Sequence, residues 1–372
     1  MYPGKSMFIL ATGAALVLLP HCGLQGQDVR WRTLVGPATR LARLESKPPC
    51  LESFSRSETT YVVERVAVRS EGVELAALLY LPPGKGRFPG VVFMHGGGND
   101  VDQLRAAPLF YAPRLAHCGF AVLTYDKRGT GDSKGVFGEC TLDDFITDAG
   151  NAALFLACDP RVESTRIALY GGSEGGRLAP VVAVRFPLLS AVITVSGPIG
   201  TNADQANYNM RFALSSRGYV DSVIAQVMPL WKRNHAAWTS RDPAEFKAVA
   251  AEIRQMRKQY DTFALPSTRE EMMTDEKLSF LRPGYVSMWR DYTAELKDLR
   301  IPWLAVFGQQ DPIVDVRESA AYIKKMAQVS GNKQCEVFVV EDVGHSLSKS
   351  TERKRVMMEW VLINWLGEKW GR

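Results

Sequence analysis

Three things are in short supply in this chain, and each shortage narrows what it can be. Charge of one sign is the first: 45 basic residues stand against 40 acidic ones, a formal excess of +5 spread along 372 positions. That excludes a nucleic-acid or membrane-surface role resting on a basic field. The densest basic stretch, K-S-T-E-R-K-R at 349–355, is read as the solvated face opening the last helix. Cysteine is the second shortage. Six are present at spacings that fit no metal knuckle, so a structural zinc site is excluded. Long apolar runs are the third. Only F-I-L-A-T-G-A-A-L-V-L-L-P at 8–20 qualifies, and it is too short for a comfortable membrane span. With one lysine before it, it suits a signal peptide over residues 1–27, and hence a secreted or periplasmic protein with no integral span in the mature chain. Cys22 follows L-P-H rather than small residues, which argues against a lipid anchor.

Removing that leader leaves Cys50, Cys118, Cys140, Cys158 and Cys335, an odd number. Cys118, Cys158 and Cys335 lie in or beside expected core elements and read as buried apolar fillers. Cys50 or Cys140 could join a disulfide, with the pairing left open.

A 46% hydrophobic composition over this length is enough for a large core, in one elaborated domain or two. Residues 28–60 are polar and proline-containing and read as an N-terminal extension lying across that core. Strands are expected at 61–69 and 73–81 as an initial antiparallel pair, then at 90–95, 119–125, 166–171, 190–196, 301–307 and 335–341. The later six are apolar runs separated by helical stretches, as a parallel sheet covered on both faces requires. The core is thus expected over 61–200 and 299–372. The intervening residues 201–298 are too many for a loop. Val223, Val227, Leu230 and Trp231, then Phe246, Val249, Ile253, Met256, Tyr260 and Phe263, recur at helical spacing there. Most of these stripes serve to pack the insertion. Because it follows the sixth core strand, at the carboxyl end of the sheet, it is read as a helical cap.

The chemistry concentrates in I-A-L-Y-G-G-S-E-G-G at 167–176. A short strand runs into Ser173 and a helix leaves it, which is the strand–turn–helix arrangement that exposes a nucleophilic serine. Gly171, Gly175 and Gly176 allow an approach of strand to helix that a Cβ would block. Asp311 follows the strand at 301–307 and His345 follows the strand at 335–341, so acid and base fall in equivalent loops after the serine. Asp315 is a rival for the acid, but its place suits the cap of a helix beginning near Val316. Of five histidines, only His345 stands in a loop after a late strand; His95 closes a strand, His117 ends a helix, His235 lies in the insertion and His21 in the leader. P-G-V-V-F-M-H-G-G-G at 89–98 is a strand running into a glycine loop, so the N–H groups of Gly97 and Glu174 are the expected oxyanion donors. Such a reaction needs no metal or organic cofactor. D-K-R-G-T-G-D-S at 126–133 lacks the G-K-[ST] ending of a phosphate loop and reads as structural, tied down by Arg128 and Asp132.

With these parts, the chain resembles an α/β-hydrolase-superfamily enzyme from about Tyr61 onward, the insertion apart. G-G-S-E-G-G-R-L-A-P and Y-D-K-R-G-T-G-D-S are similar to the bacterial esterase and dipeptidyl-aminopeptidase-like branch, with acyl-CoA thioesterase and dienelactone-hydrolase relatives. The resemblance implies an α/β fold with a mostly parallel eight-stranded sheet, a Ser173–His345–Asp311 triad, and a small ester or short peptide-like substrate. It includes peptidases too. An aminopeptidase needs cap carboxylates for the substrate's amine, and Asp204, Glu245, Glu252, Glu270, Glu271 and Asp275 are the candidates. The chain has no room for the N-terminal propeller of prolyl-oligopeptidase relatives.

Overall fold

Apolar side chains on both faces of the strands decide the layering. In β4 (Phe88–Met94), Val92 and Met94 enter one apolar cluster while Val91 and Phe93 enter the other, the period-2 alternation of a strand buried on both sides. The remaining strands of the main sheet are β1 (Trp31–Val35), β2 (Val62–Ser70), β3 (Val73–Leu81), β5 (Ala121–Tyr125), β6 (Val162–Gly172), β7 (Ala191–Val195), β8 (Trp303–Gly308) and β9 (Cys335–Val340). The computed structural model describes residues 31–35, 44, 46–55, 60–240, 243–260, 290–349, 354–355 and 358–371. Residues 1–27, where a signal peptide is expected, with His21 and Cys22, and Phe263, Glu270, Glu271 and Asp275 of the insertion lie outside them.

All eight expected strands are present, in the order β9-β8-β7-β6-β4-β5-β3-β2, and β1 adds a ninth beyond β9. From β5 to β9 the sheet is parallel. β3 and β2 continue it antiparallel on one side. On the other, β1 pairs antiparallel with β9, Trp31 opposite Val340. The extension therefore supplies an edge strand as well as a covering segment, with Leu44 and Leu51 buried in the second cluster.

One face carries α2 (Leu142–Cys158), α3 (Glu174–Arg185) and α7 (Val316–Ser330); the other carries α1 (Val101–His117) and α8 (Met358–Trp370). Local chemistry starts these helices: Asp100 caps α1, Thr141 and Asp144 form a reciprocal capping box on α2, and Asp315 caps α7 by accepting from the Glu318 N–H. The last helix starts at Met358, later than the basic run at 349–355. Ser348–Lys349 instead pairs with Lys354–Arg355 as a two-residue antiparallel ladder.

The cysteines differ from expectation at two positions. Cys118 is not a filler; it closes a disulfide with Cys50 and fastens the extension to the end of α1. Cys158 is exposed at the end of α2, whereas Cys335 is buried as expected and Cys140 is buried and free.

After β7 the described residues of the insertion form three helices, α4 (Asn202–Ser216), α5 (Asp221–Ser240) and α6 (Pro243–Tyr260). Met210, Leu214, Ile224, Val227, Val249 and Ile253 give this insertion an apolar cluster of its own, with Trp231 and Met256 packed against it. The chain returns to the sheet through a polar clamp. Asp143 accepts from Arg185 at 2.7 Å, Arg290 at 2.7 Å and the Tyr292 hydroxyl at 3.1 Å, while Arg185 also grips both oxygens of Glu295. Among the described residues no helix is long and apolar enough to cross a membrane.

Candidate active site

Chain order across the sheet reverses at β4, whose neighbours are β5 and β6, and ligands of open α/β sheets bind beyond the carboxyl ends of the strands at such a point. The glycine loop follows β4 and Ser173 follows β6, so both open onto this crevice.

Ser173 sits at the N-cap of α3 with φ 52° and ψ −117°, a backbone conformation that L residues rarely adopt. A serine there would ordinarily cap its helix, but this one makes no side-chain cap bond. Its Oγ instead lies 3.0 Å from His345 Nε2. Glycine makes the turn feasible. A Cβ on Gly171 would run into the Gly175 carbonyl, one on Gly175 into the His95 carbonyl, and one on Gly176 would stand 2.8 Å from the Gly197 Cα.

His345 Nδ1 lies 2.7 Å from Asp311 Oδ2. A carboxylate only accepts, so Nδ1 carries the ring proton and Nε2 is left to accept from the Ser173 hydroxyl. Asp311 is fully buried, and its other oxygen takes the N–H groups of Ile313 at 2.8 Å and Val314 at 3.0 Å. Both oxygens are thus held, as a carboxylate removed from water requires. The loops bearing Asp311 and His345 touch directly: a Cβ on Gly308 would strike the Gly344 carbonyl, and the Gln310 N–H donates to Val343 O at 2.9 Å.

Two positioning groups were not singled out in the sequence. Ser196, at the end of β7 with φ 49°, donates its hydroxyl to the His345 carbonyl at 2.7 Å. Tyr208, on the first helix of the insertion, donates to the Asp311 carbonyl at 3.0 Å. Nothing in sequence spacing marks either, because each acts on a backbone oxygen more than a hundred residues away.

Gly96 and Gly97 face the start of α3: the Cβ position of Gly96 lies 3.6 Å from Ser173 Cβ, and that of Gly97 lies 3.6 Å from Glu174 Oε2. His95 is buried beneath this loop, with Nδ1 3.2 Å from Leu104 O and Nε2 against Tyr125 O, so it seats the glycines. His117 is remote, held between Ser53 and Thr60 beside the disulfide.

The loop at 126–133 is anchored more deeply than expected. Arg128 makes two bonds to buried Asp148, at 2.6 and 3.0 Å. Asp132 is exposed and only touches Arg105; the stronger anchor is Asp126, which takes Arg105 and the Asp132 N–H. Lys127 between them reaches Glu174 Oε1 at 2.6 Å and Gly96 O at 3.1 Å. Burial pushes the Glu174 carboxyl up, but the charge and hydrogen bond of Lys127, with the charge of Arg177, outweigh it and hold the carboxyl below its ordinary value. Among the described residues no three His, Cys, Asp or Glu side chains stand together as a metal site.

A strained serine, an imidazole and a buried carboxylate in one hydrogen-bonded line at the end of a parallel sheet are the parts of an α/β-hydrolase, and sequence comparison narrows this further. Residues 71–346 match the X-Pro dipeptidyl-peptidase (S15) family. The chain belongs to that family. Esterase EstD of Thermotoga maritima is 24% identical over 291 residues, 77% of this chain and 61% of that one. Acyl-coenzyme A thioesterase 3 of Mus musculus is 30% identical over 146 residues, 39% of this chain and 31% of that one. This family member therefore spans less than two thirds of the length of these curated relatives. Among solved structures, a Pyrococcus furiosus esterase superposes with a TM-score of 0.52 at 16% identity, covering 86% of this chain and 94% of its own. The Pyrococcus horikoshii acylaminoacyl peptidase gives 0.51 at 16% identity, covering 84% and 42%. These two likenesses are of fold.

Proposed function

We propose that the protein is a secreted or periplasmic serine hydrolase that cleaves small carboxylic esters through an acyl-enzyme. The observation that carries this reading is the line Ser173 Oγ, His345 Nε2, His345 Nδ1, Asp311 Oδ2, with gaps of 3.0 and 2.7 Å. Ser173 Oγ attacks the ester carbonyl as its proton passes to His345 Nε2, and Asp311 steadies the imidazolium. The N–H groups of Gly97 and Glu174 receive the charge that forms on the carbonyl oxygen. When the intermediate collapses, His345 returns the proton to the departing alcohol; a water activated by the same imidazole then frees the acid. Helices α4 to α6 form the cap over this crevice, with Tyr208 joining it to the Asp311 loop.

Among the described residues, esters are favoured over peptides by the state of the three cap carboxylates that an amine could use. Asp204 is committed to the capping box with Thr201, at 2.7 and 2.9 Å, and Glu245 and Glu252 are both taken by Arg233. The family match favours a second reading, an X-Pro dipeptidyl-peptidase, with the same triad cutting an amide. Export is supported by the apolar run at 8–20 and by the Cys50–Cys118 disulfide, which persists in an oxidising compartment. Measuring kcat/KM on p-nitrophenyl esters of increasing acyl length beside Xaa-Pro p-nitroanilides tests the choice. Turnover of the esters with little on the anilides is expected. A preference for the anilides overturns it in favour of the peptidase, and failure of a fluorophosphonate to label Ser173 overturns both.

A further inference from the structure

The glycine loop after β4 poses a physical problem that one lysine solves. An oxyanion donor must be fixed before charge develops, since its value lies in not having to reorganise. Yet the Gly96–Gly97 peptide lies in a run of three glycines, the residue type with the most conformational freedom to lose. Neither glycine has a side chain to hold that peptide in orientation.

Lys127 comes up from the loop after β5 and is almost wholly enclosed, its side chain 5% exposed. Its ammonium stands 4.2 Å from the centroid of the Phe145 ring and 5.4 Å from that of Phe137, a floor that favours a cation. From there it donates to the Gly96 carbonyl at 3.1 Å and to Glu174 Oε1 at 2.6 Å. Because the Gly96–Gly97 peptide is planar and trans, its C=O and N–H point in opposite directions. A cation fixing the Gly96 oxygen therefore aims the Gly97 N–H to the other side and, by polarising the unit, makes it a stronger donor. The second bond reaches the other half of the site, since Glu174 supplies the second N–H at the first position of α3.

We propose that Lys127 is a positioning residue for the oxyanion site, holding the Gly96 carbonyl and the Glu174 carboxylate on one ammonium and so setting both amides that receive the charge. This rests on the serine-hydrolase reading above. A lysine serving only as the partner of a buried acid would be replaceable, with that acid, by apolar side chains, because exchanging a whole buried ion pair is often neutral. A lysine that orients the Gly96–Gly97 peptide would not be.

The test is Lys127→Met, together with the double variant Lys127→Met/Glu174→Met that removes the stranded charge, each checked for folding by thermal melting. p-Nitrophenyl butyrate is the substrate probe, and phenylboronic acid, which forms a tetrahedral adduct on the serine, is the probe of the charged state. Loss of one donor outright costs about 10²–10³ in kcat, so a donor left in place but loosened is expected to cost about 10–100-fold. KM should hold steady, and the inhibition constant for phenylboronic acid should rise by the same factor as kcat falls. A folded double variant with wild-type kcat and wild-type boronate affinity overturns the assignment. So does a fall in kcat with boronate affinity unchanged. Ser173→Ala separates this from the reading beneath it: turnover surviving there ends the serine mechanism and the lysine's role with it. Turnover lost there but intact in both lysine variants ends the lysine's role alone.

Discussion

Asp311 and Asp315 lie on one loop, yet their surroundings give them different tasks. Asp311 is fully buried and shared between an imidazole and two backbone amides, whereas Asp315 is spent on the Glu318 N–H at the start of α7. Asp311→Asn should lower kcat by about 10⁴-fold, because an amide in place of the acceptor favours the wrong imidazole tautomer. Asp315→Asn should leave kcat unchanged and alter stability by only a few tenths of a kcal/mol, asparagine being an equally good cap. Steady-state kinetics beside thermal melts of the two variants check this, and a larger kcat loss at position 315 would reverse the roles. Ser173→Ala and His345→Ala should each lower kcat by about 10⁴–10⁶-fold with the fold intact.

At the level of elements, what could be read in advance was what is contiguous. The apolar run, glycines and serine of β6 and α3 occupy one short segment, so strand, turn and helix announce themselves together. Lys127 and Glu174 are 47 residues apart on unrelated elements, and no period links them. β1 escaped for another reason: five residues among polar and proline-rich flanks carry too little pattern, and they become a strand only because β9 offers an edge. The Cys50–Cys118 bond escaped too, since it depends on where the extension crosses α1. It stands at the carboxyl end of α1, where the chain turns into the amino end of β5, opposite the crevice. Cys50→Ser should therefore cost about 2–5 kcal/mol of stability by freeing the unfolded chain, with kcat/KM untouched. Denaturant titration and ester hydrolysis of the same sample check both halves; a drop in kcat/KM would contradict the separation.

Across the whole molecule, stability should form a plateau in pH with an identifiable cause at each side. Glu174, Asp126, Asp143, Asp159 and Glu64 all have carboxyls held below their ordinary values of 4.5 for Glu and 3.8 for Asp. On acidification the unfolded chain takes up protons first, so what these groups contribute is present above those values and is lost as pH falls through the lower folded ones. At the other side, burial raises Cys140 to about 11 and Cys335 to about 12 from an ordinary 9.0. There the unfolded thiols ionise first, and stability declines as pH climbs past 9.0 toward those folded values. Burial also holds His95 below its ordinary 6.5, so the unfolded chain gains that proton first and melting temperature should be flattest between roughly pH 7 and pH 9. A melting temperature that kept rising below pH 4 would contradict the carboxylate assignments.

The pairing of β1 with β9 also sets an order of assembly. Trp31 meets Val340, so one of the first described segments to be synthesised finds its partner only after almost the entire chain has been made. Contacts this distant in sequence form slowly, because the long intervening loop must be closed before they are rewarded. Until then the outer edge of β9 presents bare amides and carbonyls, a template for pairing with a strand of another chain. A chain lacking residues up to Val35 should refold with the catalytic line in place but scatter more light at high concentration. The short strand, in effect, moves the sheet's open margin from six-residue β9 onto its own five residues, and so leaves less edge for another copy to pair with.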